Sequence, residues 1–343
     1  MTPQSDAYNN PSVNPGAPSN PGAPSSTTVS SSSKVGEQAA PRIPETQRLF
    51  WLIRREFWEN RSLYIAPLAV AALIVLGFLY SAIRIPADNV FLTTTTVVNG
   101  TVTRAQHGID PIQIYDLAAT LIMTSTFFVA IFYCLDALYS ERRDRSILFW
   151  KSLPLSDLTT VLSKATIPLI LLPLLTWVIT VVTQTLMLLI NLAVFHARGM
   201  DTTALHTNLP LAQNSLLLLY HLVAIDALWY APIWAWLLLI SAWARRTPLL
   251  WAILPPFALT ILEAITLHTS YVSRFLTYRL HGPAGMDFHT LHGPEGVGVM
   301  SMSPHFQITP AQFLATPGLW IGLALAAIFL AAAIQLRRYR NPL

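Results

Sequence analysis

The sequence predicts an all-α membrane protein with six transmembrane helices, preceded by an interfacial amphipathic helix, with both termini in the cytoplasm. Of the 343 residues, 53% are hydrophobic and only 11% are charged, whereas soluble domains carry roughly 25% charged residues. The apolar residues are collected in long runs rather than spread along one helical face. These observations exclude a soluble globular enzyme and a fully disordered chain. The single cysteine, Cys134, excludes an internal disulfide and a multi-cysteine zinc site.

Residues 1–44 are predicted to be a disordered tail that precedes the membrane domain, residues 45–343. The tail is rich in Pro, Ser, Asn and Gly, and it repeats Asn-Pro-Gly-Ala-Pro-Ser at residues 14–19 and 20–25. Such a segment buries too little apolar surface to offset the entropy of ordering the chain. It contains no apolar run of the kind that a signal peptide has, so we do not expect it to direct secretion.

The segment from Thr46 to Asn60 is predicted to form an amphipathic helix. At about 100° per residue, its apolar and charged side chains fall on opposite sides of the helix. The apolar arc holds Leu49, Phe50, Ile53 and Phe57, and the opposite side holds Arg48, Arg55 and Glu59. Trp51 and Trp58 lie beside the apolar arc, and indole rings favour the headgroup region of a membrane. We therefore expect a helix in the membrane interface with its basic residues toward anionic lipid. A plain cytoplasmic extension of the first span is the alternative.

Six apolar stretches are long enough to cross about 30 Å of hydrocarbon, which takes about 20 helical residues. They are residues 62–83, 112–138, 165–195, 215–243, 248–268 and 318–336. The third is long enough to tilt or kink, and Pro168 and Pro173 lie near its start. The fourth and fifth are joined only by the tight charged hairpin Ala244–Thr247.

The distribution of basic residues predicts the orientation, because Lys and Arg are enriched in cytoplasmic segments. With both termini inside, the inner segments hold Arg48, Arg54, Arg55, Arg61, Arg142, Arg143, Arg145, Lys151, Lys164, Arg245, Arg246, Arg337, Arg338 and Arg340. The outer loops hold Arg84, Arg104, Arg198, Arg274 and Arg279. The basic residues thus mark membrane orientation rather than a nucleic-acid surface.

The cytoplasmic loop between the second and third spans has the most distinctive sequence. The mixed-charge run Glu141–Arg145 should stay outside the bilayer. Ser156 is a good N-cap for the following helix, with Asp157 in its first turn near the positive end of the helix dipole. Between these flanks the sequence predicts a short apolar helix. Its aromatic residues Phe149 and Trp150 need a cover, either the protein's own span ends and lipid headgroups or a partner subunit.

The run Glu-Arg-Arg-Asp-Arg-Ser-Ile-Leu-Phe-Trp-Lys-Ser-Leu-Pro-Leu-Ser at residues 141–156 resembles the first cytoplasmic loop of ABC-2 type transporter permeases. The layout from about Arg48 onward is also similar to that family. The resemblance implies that residues 146–155 contain a coupling helix that docks on a separate ATP-binding subunit, with the interfacial helix as a second contact. The docking residues would be Ser146, Ile147, Leu148, Phe149, Trp150, Lys151, Leu153 and Pro154. It further implies a dimer of six-span units in the cell (inner) membrane, and it favours export.

The chain contains no Gly-x-x-x-x-Gly-Lys-Ser/Thr motif, and therefore no loop of this type to cradle ATP phosphates. Its cytoplasmic segments are also too short for a nucleotide-binding domain. We therefore expect a transport subunit that is not itself an enzyme and binds no cofactor. ATP and Mg²⁺ would be bound, and ATP hydrolysed, on the partner subunit.

Several polar residues fall within the predicted spans, where a charged side chain costs roughly 2.5–3.5 kcal/mol on insertion scales. They are Asp226, His221, Glu263, Gln184 and Asp116. One interpretation is a polar lining of a substrate path or a network at a dimer interface. The other is that these side chains only fix the packing of neighbouring spans.

An ion-driven secondary carrier that uses Asp226, His221 and Glu263 as a proton relay is the alternative function. Such carriers usually contain internal repeats, and the two halves of this sequence share no convincing similarity. An intramembrane hydrolase would be supported by His-Glu-x-x-His or Gly-x-Ser-x-Gly, and neither occurs. The histidines other than His221 lie at or beyond the outer membrane boundary. Several of them fall in residues 269–317, which contain Gly and Pro and are expected to form a mobile loop, so solvated histidines are favoured over a metal site.

Overall fold

The structure is a computed structural model that describes residues 45–84, 93–98, 101–106, 111–144, 156–199, 211–281, 290–292, 298–300 and 310–339. The predicted disordered tail, residues 1–44, lies outside the described residues. So does the predicted docking segment, residues 146–155.

The described part of the chain is predominantly helical. Its helices are α1 (Glu45–Glu59), α2 (Ser62–Arg84), α3 (Pro111–Ala137), α4 (Tyr139–Arg143), α5 (Asp157–Thr166), α6 (Leu172–Ala197), α7 (Leu211–His221), α8 (Ala231–Trp243), α9 (Pro248–Thr266), α10 (Tyr271–His281), α11 (Pro310–Ala315) and α12 (Pro317–Tyr339). Two π-helical segments, π1 (Ile167–Leu171) and π2 (Leu222–Trp229), connect α5 to α6 and α7 toward α8. The antiparallel hairpins β1 (Thr93–Val98) with β2 (Thr101–Gln106) and β3 (Thr290–His292) with β4 (Gly298–Met300) lie in two of the connections.

The predicted apolar runs form long helices, which makes the chain a multi-pass membrane protein. Five helical stretches of the described residues are long and apolar enough to cross a membrane: Ser62–Arg84, Ile114–Arg143, Asp157–Ala197, Pro248–Thr266 and Pro317–Tyr339. A bent pair, Ala212–Trp229 and Ala231–Trp243, meets the same criterion together, with a bend of 47°. The pair brings the number to six if it forms one span.

Successive long helices run in opposite directions. At one end of the bundle, the Arg198 guanidinium after α6 donates to the main-chain oxygen of Ala82 in α2 at 3.1 Å. At the other end, the Ser241 hydroxyl in α8 accepts from the main-chain nitrogens of Leu138 and Tyr139, each at 2.9 Å. This alternation is the packing that the short hairpin between α8 and α9 predicts.

The last helix, α12, defines the two ends of the bundle by its contacts. Near its start, Gly318 contacts Arg279 of α10; near its end, Arg337 contacts Asp157 of α5. A helix rises 1.5 Å per residue, so these contacts are separated by about 28 Å along the helix. We call the Gly318 end the α10 end and the Arg337 end the α1 end, since α1 packs there.

The helix predicted to begin after Ser156 runs directly into the third apolar span, whose predicted bounds were residues 165–195. It starts at Asp157, because the Ser156 side chain accepts from the main-chain nitrogen of Thr159 at 3.1 Å and caps it. The predicted N-cap is therefore confirmed. Pro168 lacks an N–H and interrupts the α-helical hydrogen-bond ladder, and it lies within π1. The prolines near the start of the third span thus coincide with a π-helical turn, and the helical stretch continues through it to Ala197.

The segment between α9 and α12 contains more structure than the sequence predicted. Residues 269–317 were expected to form a mobile loop, whereas Tyr271–His281 is the helix α10 and Pro310–Ala315 is the short helix α11. The expectation failed because α10 gains its stability from contacts with distant residues. The indole of Trp229 and the hydroxyl of Tyr230 donate to main-chain oxygens of α10 at 3.0 and 2.9 Å.

Candidate functional site: a buried ion-pair network

The two helices that flank residues 145–155 both enter the packed bundle at the α1 end. On one side, α4 begins where the Ser241 hydroxyl accepts from Leu138 and Tyr139, and the guanidinium of Arg142 donates to the main-chain oxygen of Ala242. On the other side, α5 begins at the Ser156 cap. Both flanks of the predicted docking segment are therefore fixed to the bundle.

Lys164 of α5 is the first centre of a buried ion-pair network. Its Nζ lies 2.8 Å from Oε1 of Glu56 in α1 and 3.1 Å from Oε1 of Glu141 in α4. The Lys164 side chain is only 4% exposed, and both carboxylates are 11% exposed. The hydroxyl of Tyr133 in α3 donates to the other oxygen of Glu56 at 3.2 Å. One ammonium group thus joins α1, α4 and α5.

Arg337 of α12 is the second centre of this network. Its Nε lies 3.0 Å from Oδ1 of Asp157 in α5, and its Nη1 pairs with Oε2 of Glu141. Glu141 bridges the two centres, since one of its oxygens faces Lys164 and the other faces Arg337. The chain Glu56–Lys164–Glu141–Arg337–Asp157 alternates in sign, so every neighbouring pair is attractive.

Burial decides how much this network matters. Removing one partner of a buried pair leaves the other charge uncompensated and typically costs about 3–5 kcal/mol. The exposed pairs Arg143–Asp144 and Arg55–Glu59 also have short distances, 3.0 and 3.1 Å, but exposed pairs usually contribute little. The network is therefore the feature that ties α1, α4, α5 and α12 into one unit.

The helix α1 forms as predicted and is docked by one face. Ile53 and Phe57 pack against the core, and Glu56 points into the network. Phe50, Trp51 and Trp58 are exposed. Phe50, on the predicted apolar arc, therefore does not pack against the core, whereas Ile53 and Phe57 of the same arc do.

The predicted docking residues Ser146, Ile147, Leu148, Phe149, Trp150, Lys151, Leu153 and Pro154 lie outside the described residues. What the structure describes is the pair of flanks that hold this segment, Glu141–Asp144 and Ser156–Lys164.

The predicted pathway residues do not form one site. Glu263 caps α10: its Oε1 accepts from the hydroxyl of Thr269 and the main-chain nitrogen of Tyr271, at 2.8 and 2.6 Å, and its Oε2 accepts from Val272 at 2.7 Å. No hydrogen bond or ion pair joins it to Asp226 within the described residues. The contacts of Glu263 support the interpretation that it fixes packing.

The other pathway candidates are distributed over three elements. The Gln184 amide in α6 donates to the main-chain oxygen of Tyr115 in α3 at 3.2 Å. Asp116, the next residue in α3, is buried, and its Oδ2 has no hydrogen-bond partner among the described residues. His221 is buried at the end of α7, and Asp226 lies partly exposed in π2.

Sequence reasoning missed two arrangements of charge. The sequence analysis used the network's basic residues only for membrane orientation, placed its acidic residues in the charged loop and at a helix start or gave them no role, and placed Arg279 in an outer loop. The Arg279 guanidinium carbon lies 4.4 Å from the Trp229 ring centroid, and its Nη2 donates to the oxygen of Gly318 at 2.9 Å. A Cβ at Gly322 would overlap that nitrogen. The spacing of Gly318 and Gly322, one helical turn apart, was the signal available in the sequence.

No family model, curated protein or solved structure matches the chain. The functional argument therefore depends on the sequence and on the geometry of these contacts.

Proposed function

We propose that the chain is the membrane-spanning permease subunit of an ABC-2 type transporter. It has six spans, lies in the cell (inner) membrane, and has both termini in the cytoplasm. The subunit forms a dimer and lines the substrate path of an exporter. A separate subunit binds and hydrolyses the ATP. The resemblance of residues 141–156 to a coupling loop supports this assignment.

The observation that carries the proposal is the position of the buried network. It joins both flanks of residues 145–155 to α1 and to the end of α12 through Glu56, Glu141, Lys164 and Arg337. A loop that only connected two spans would not need both flanks bound to two other helices by buried charges, which are expensive to desolvate.

The network also provides a route for force. A force on residues 146–155 would act on the flanking helices α4 and α5. These helices are linked to α12, because Glu141 of α4 and Asp157 of α5 both pair with Arg337. The start of α5 and the end of α12 then move together, because separating them would leave buried charges unpaired. ATP-driven motion of a docked subunit would be transmitted in this way to the long helices.

The exposed basic residues at the α1 end agree with the proposed orientation. Arg245 and Arg246 are exposed in the hairpin between α8 and α9, and Arg54, Arg61 and Arg338 are exposed in or beside α1 and α12. Such residues mark the cytoplasmic side of a membrane protein. Fusion of a topology reporter after Arg246 should give a cytoplasmic signal, and an external signal would contradict the orientation.

Co-purification tests the assignment. The tagged chain, extracted from its native membrane, should retain an ATPase, and Trp150→Ala should reduce the retained ATPase by about tenfold or more, since aromatic anchors contribute about 2 kcal/mol or more to interfaces. Arg143→Gln is the matched control on the neighbouring exposed surface and should retain it. A chain that retains no ATPase, or that transports alone, would contradict the proposal.

The ion-driven carrier remains the second candidate because of Asp226, whose carboxylate pairs with no described residue. That candidate requires transport by the purified chain in vesicles under a proton gradient without ATP. The permease proposal requires no flux under those conditions.

A further inference from the structure

The carboxylate of Asp226 differs from those of Glu56, Glu141 and Glu263, which are paired, and from that of Asp116, which is buried. Glu56 and Glu141 pair with Lys164, and Glu263 accepts three hydrogen bonds. The Asp226 carboxylate forms no hydrogen bond or ion pair with any residue in the described part of the chain, and it is partly exposed. An ionisable residue within a span is costly and usually functional.

Asp226 lies on a face of its span that is open to the surroundings of the protein. Val223, three residues before Asp226, is 44% exposed, and residues three apart on a helix are neighbours. The residues on either side, Ile225 and Ala227, are buried. An apolar molecule that packs against Val223 would therefore lie beside the partly exposed carboxylate.

The position of Asp226 is fixed by an unusual backbone. It lies in the eight-residue π2 segment, directly before the 47° bend of the span, and π-helical turns occur frequently at functional sites. The Trp234 indole donates to the main-chain oxygen of Asp226 at 2.8 Å. The Phe127 ring packs against Tyr230 and Trp234, with centroids 5.7 and 5.3 Å apart. Aromatic rings thus hold the helix where the carboxylate is presented.

The surroundings favour one kind of ligand over another. Hard metal ions need several oxygen ligands, and the described residues include no group of three or more His, Cys, Asp and Glu side chains that could hold a metal ion. An organic cation needs only one carboxylate beside apolar surface, and Val223 provides such a surface. We propose that Asp226 binds the positively charged group of an apolar organic cation, and that such cations are the substrate class of the transporter.

That the bound cation is a transport substrate rests on the proposed function, whereas the binding itself is measured on the chain alone. The probe is tetraphenylphosphonium, added to the purified chain in an uncharged detergent and measured by equilibrium dialysis. Asp226→Asn should weaken its binding by about tenfold or more, and Asp226→Glu should retain it. Asp136→Asn, which removes an exposed carboxylate from α3, should bind like the parent. Equal binding by the parent and Asp226→Asn would overturn the inference.

Tetraphenylborate, an anion of the same shape, separates charge recognition from shape recognition. Asp226→Asn should not weaken its binding. If the substitution weakened both ions equally, the site would recognise shape alone, and the inference would be wrong.

The parent protein supplies a test that does not depend on the folding of a variant. Dicyclohexylcarbodiimide modifies carboxyl groups in apolar surroundings, and peptide mass spectrometry locates the modified residue. Tetraphenylphosphonium should slow modification at Asp226, and tetraphenylborate should not; modification that neither ion slows would contradict the inference. A chain that binds the cation but captures no ATPase contradicts only the proposed function, and the reverse result contradicts only this inference.

Discussion

The two ends of the bundle differ in how their buried charged side chains are paired. At the α1 end, Lys164 and Arg337 each contact two carboxylates. Toward the α10 end, Nε and Nη1 of Arg279 are buried without a hydrogen-bond partner among the described residues. The Arg279 guanidinium relies instead on the Trp229 ring and one main-chain oxygen.

This difference indicates that the two ends hold their helices with different rigidity. Paired buried charges hold helices in one arrangement, because each displacement leaves a charge uncompensated. A cation held by a ring face and a single carbonyl fixes a helix more weakly. The α1 end is therefore suited to transmitting movement as a unit, and the α10 end to changing its packing.

The substitution Lys164→Met should have the largest effect on stability, because it removes one centre of the network at the α1 end. It leaves the buried carboxylate of Glu56 without a cation, while Glu141 keeps only its pairing with Arg337 among the network cations. We expect the free energy of unfolding to fall by about 3–5 kcal/mol. Denaturant titration in mixed micelles measures this change. Arg143→Met removes an exposed pair nearby and should cause no measurable change. Equal effects of the two substitutions would mean that the network does not stabilise the α1 end.

The substitution Gly322→Ala tests the α10 end. A Cβ at this position would overlap Nη2 of Arg279, so α10 must move away from α12, at an expected cost of about 1–3 kcal/mol. Gly77→Ala is the control, because nothing lies within 4 Å of a Cβ at Gly77, and it should cause no loss. The same denaturant titration measures both, and full stability of Gly322→Ala would contradict the packing of Arg279 on α12.

The smallest effect concerns the start of α5. Ser156→Ala removes the cap that accepts from the main-chain nitrogen of Thr159, and we expect a loss of about 1 kcal/mol. Ser156→Asp can accept the same hydrogen bond and should restore stability. If both substitutions destabilised the protein equally, the network alone would fix the start of α5.

The sequence predicted those features that depend on local pattern. Long apolar runs predicted the spanning helices, and Ser156 followed by Asp157 predicted the helix start, because both signals lie within one element. The pairing of Glu56 with Lys164 joins residues 108 positions apart, so it depends on how the helices pack. No periodicity within either segment specifies that partner.

The same reasoning explains the errors at the α10 end. The segment Tyr271–His281 contains Arg274 and Arg279 and is only weakly apolar, so the sequence predicted a loop there. It becomes a packed helix because Trp229, on a different span, provides a ring face for Arg279 and a donor for its main-chain oxygen. Complementary surfaces on distant elements decide such a contact, and neither surface is recognisable alone.

The number of molecules transported per ATP hydrolysed, measured with the reconstituted protein and the ATPase subunit that the proposed function requires, tests the central claim most directly. Glu141→Gln keeps the size of the side chain that bridges Lys164 and Arg337 but removes its charge. The account predicts that this variant still binds the ATPase but transports several-fold fewer molecules per ATP, whereas Arg143→Gln behaves like the parent. A Glu141→Gln protein with the ratio of the parent would contradict the claim that the buried network transmits the movement of the coupling loop.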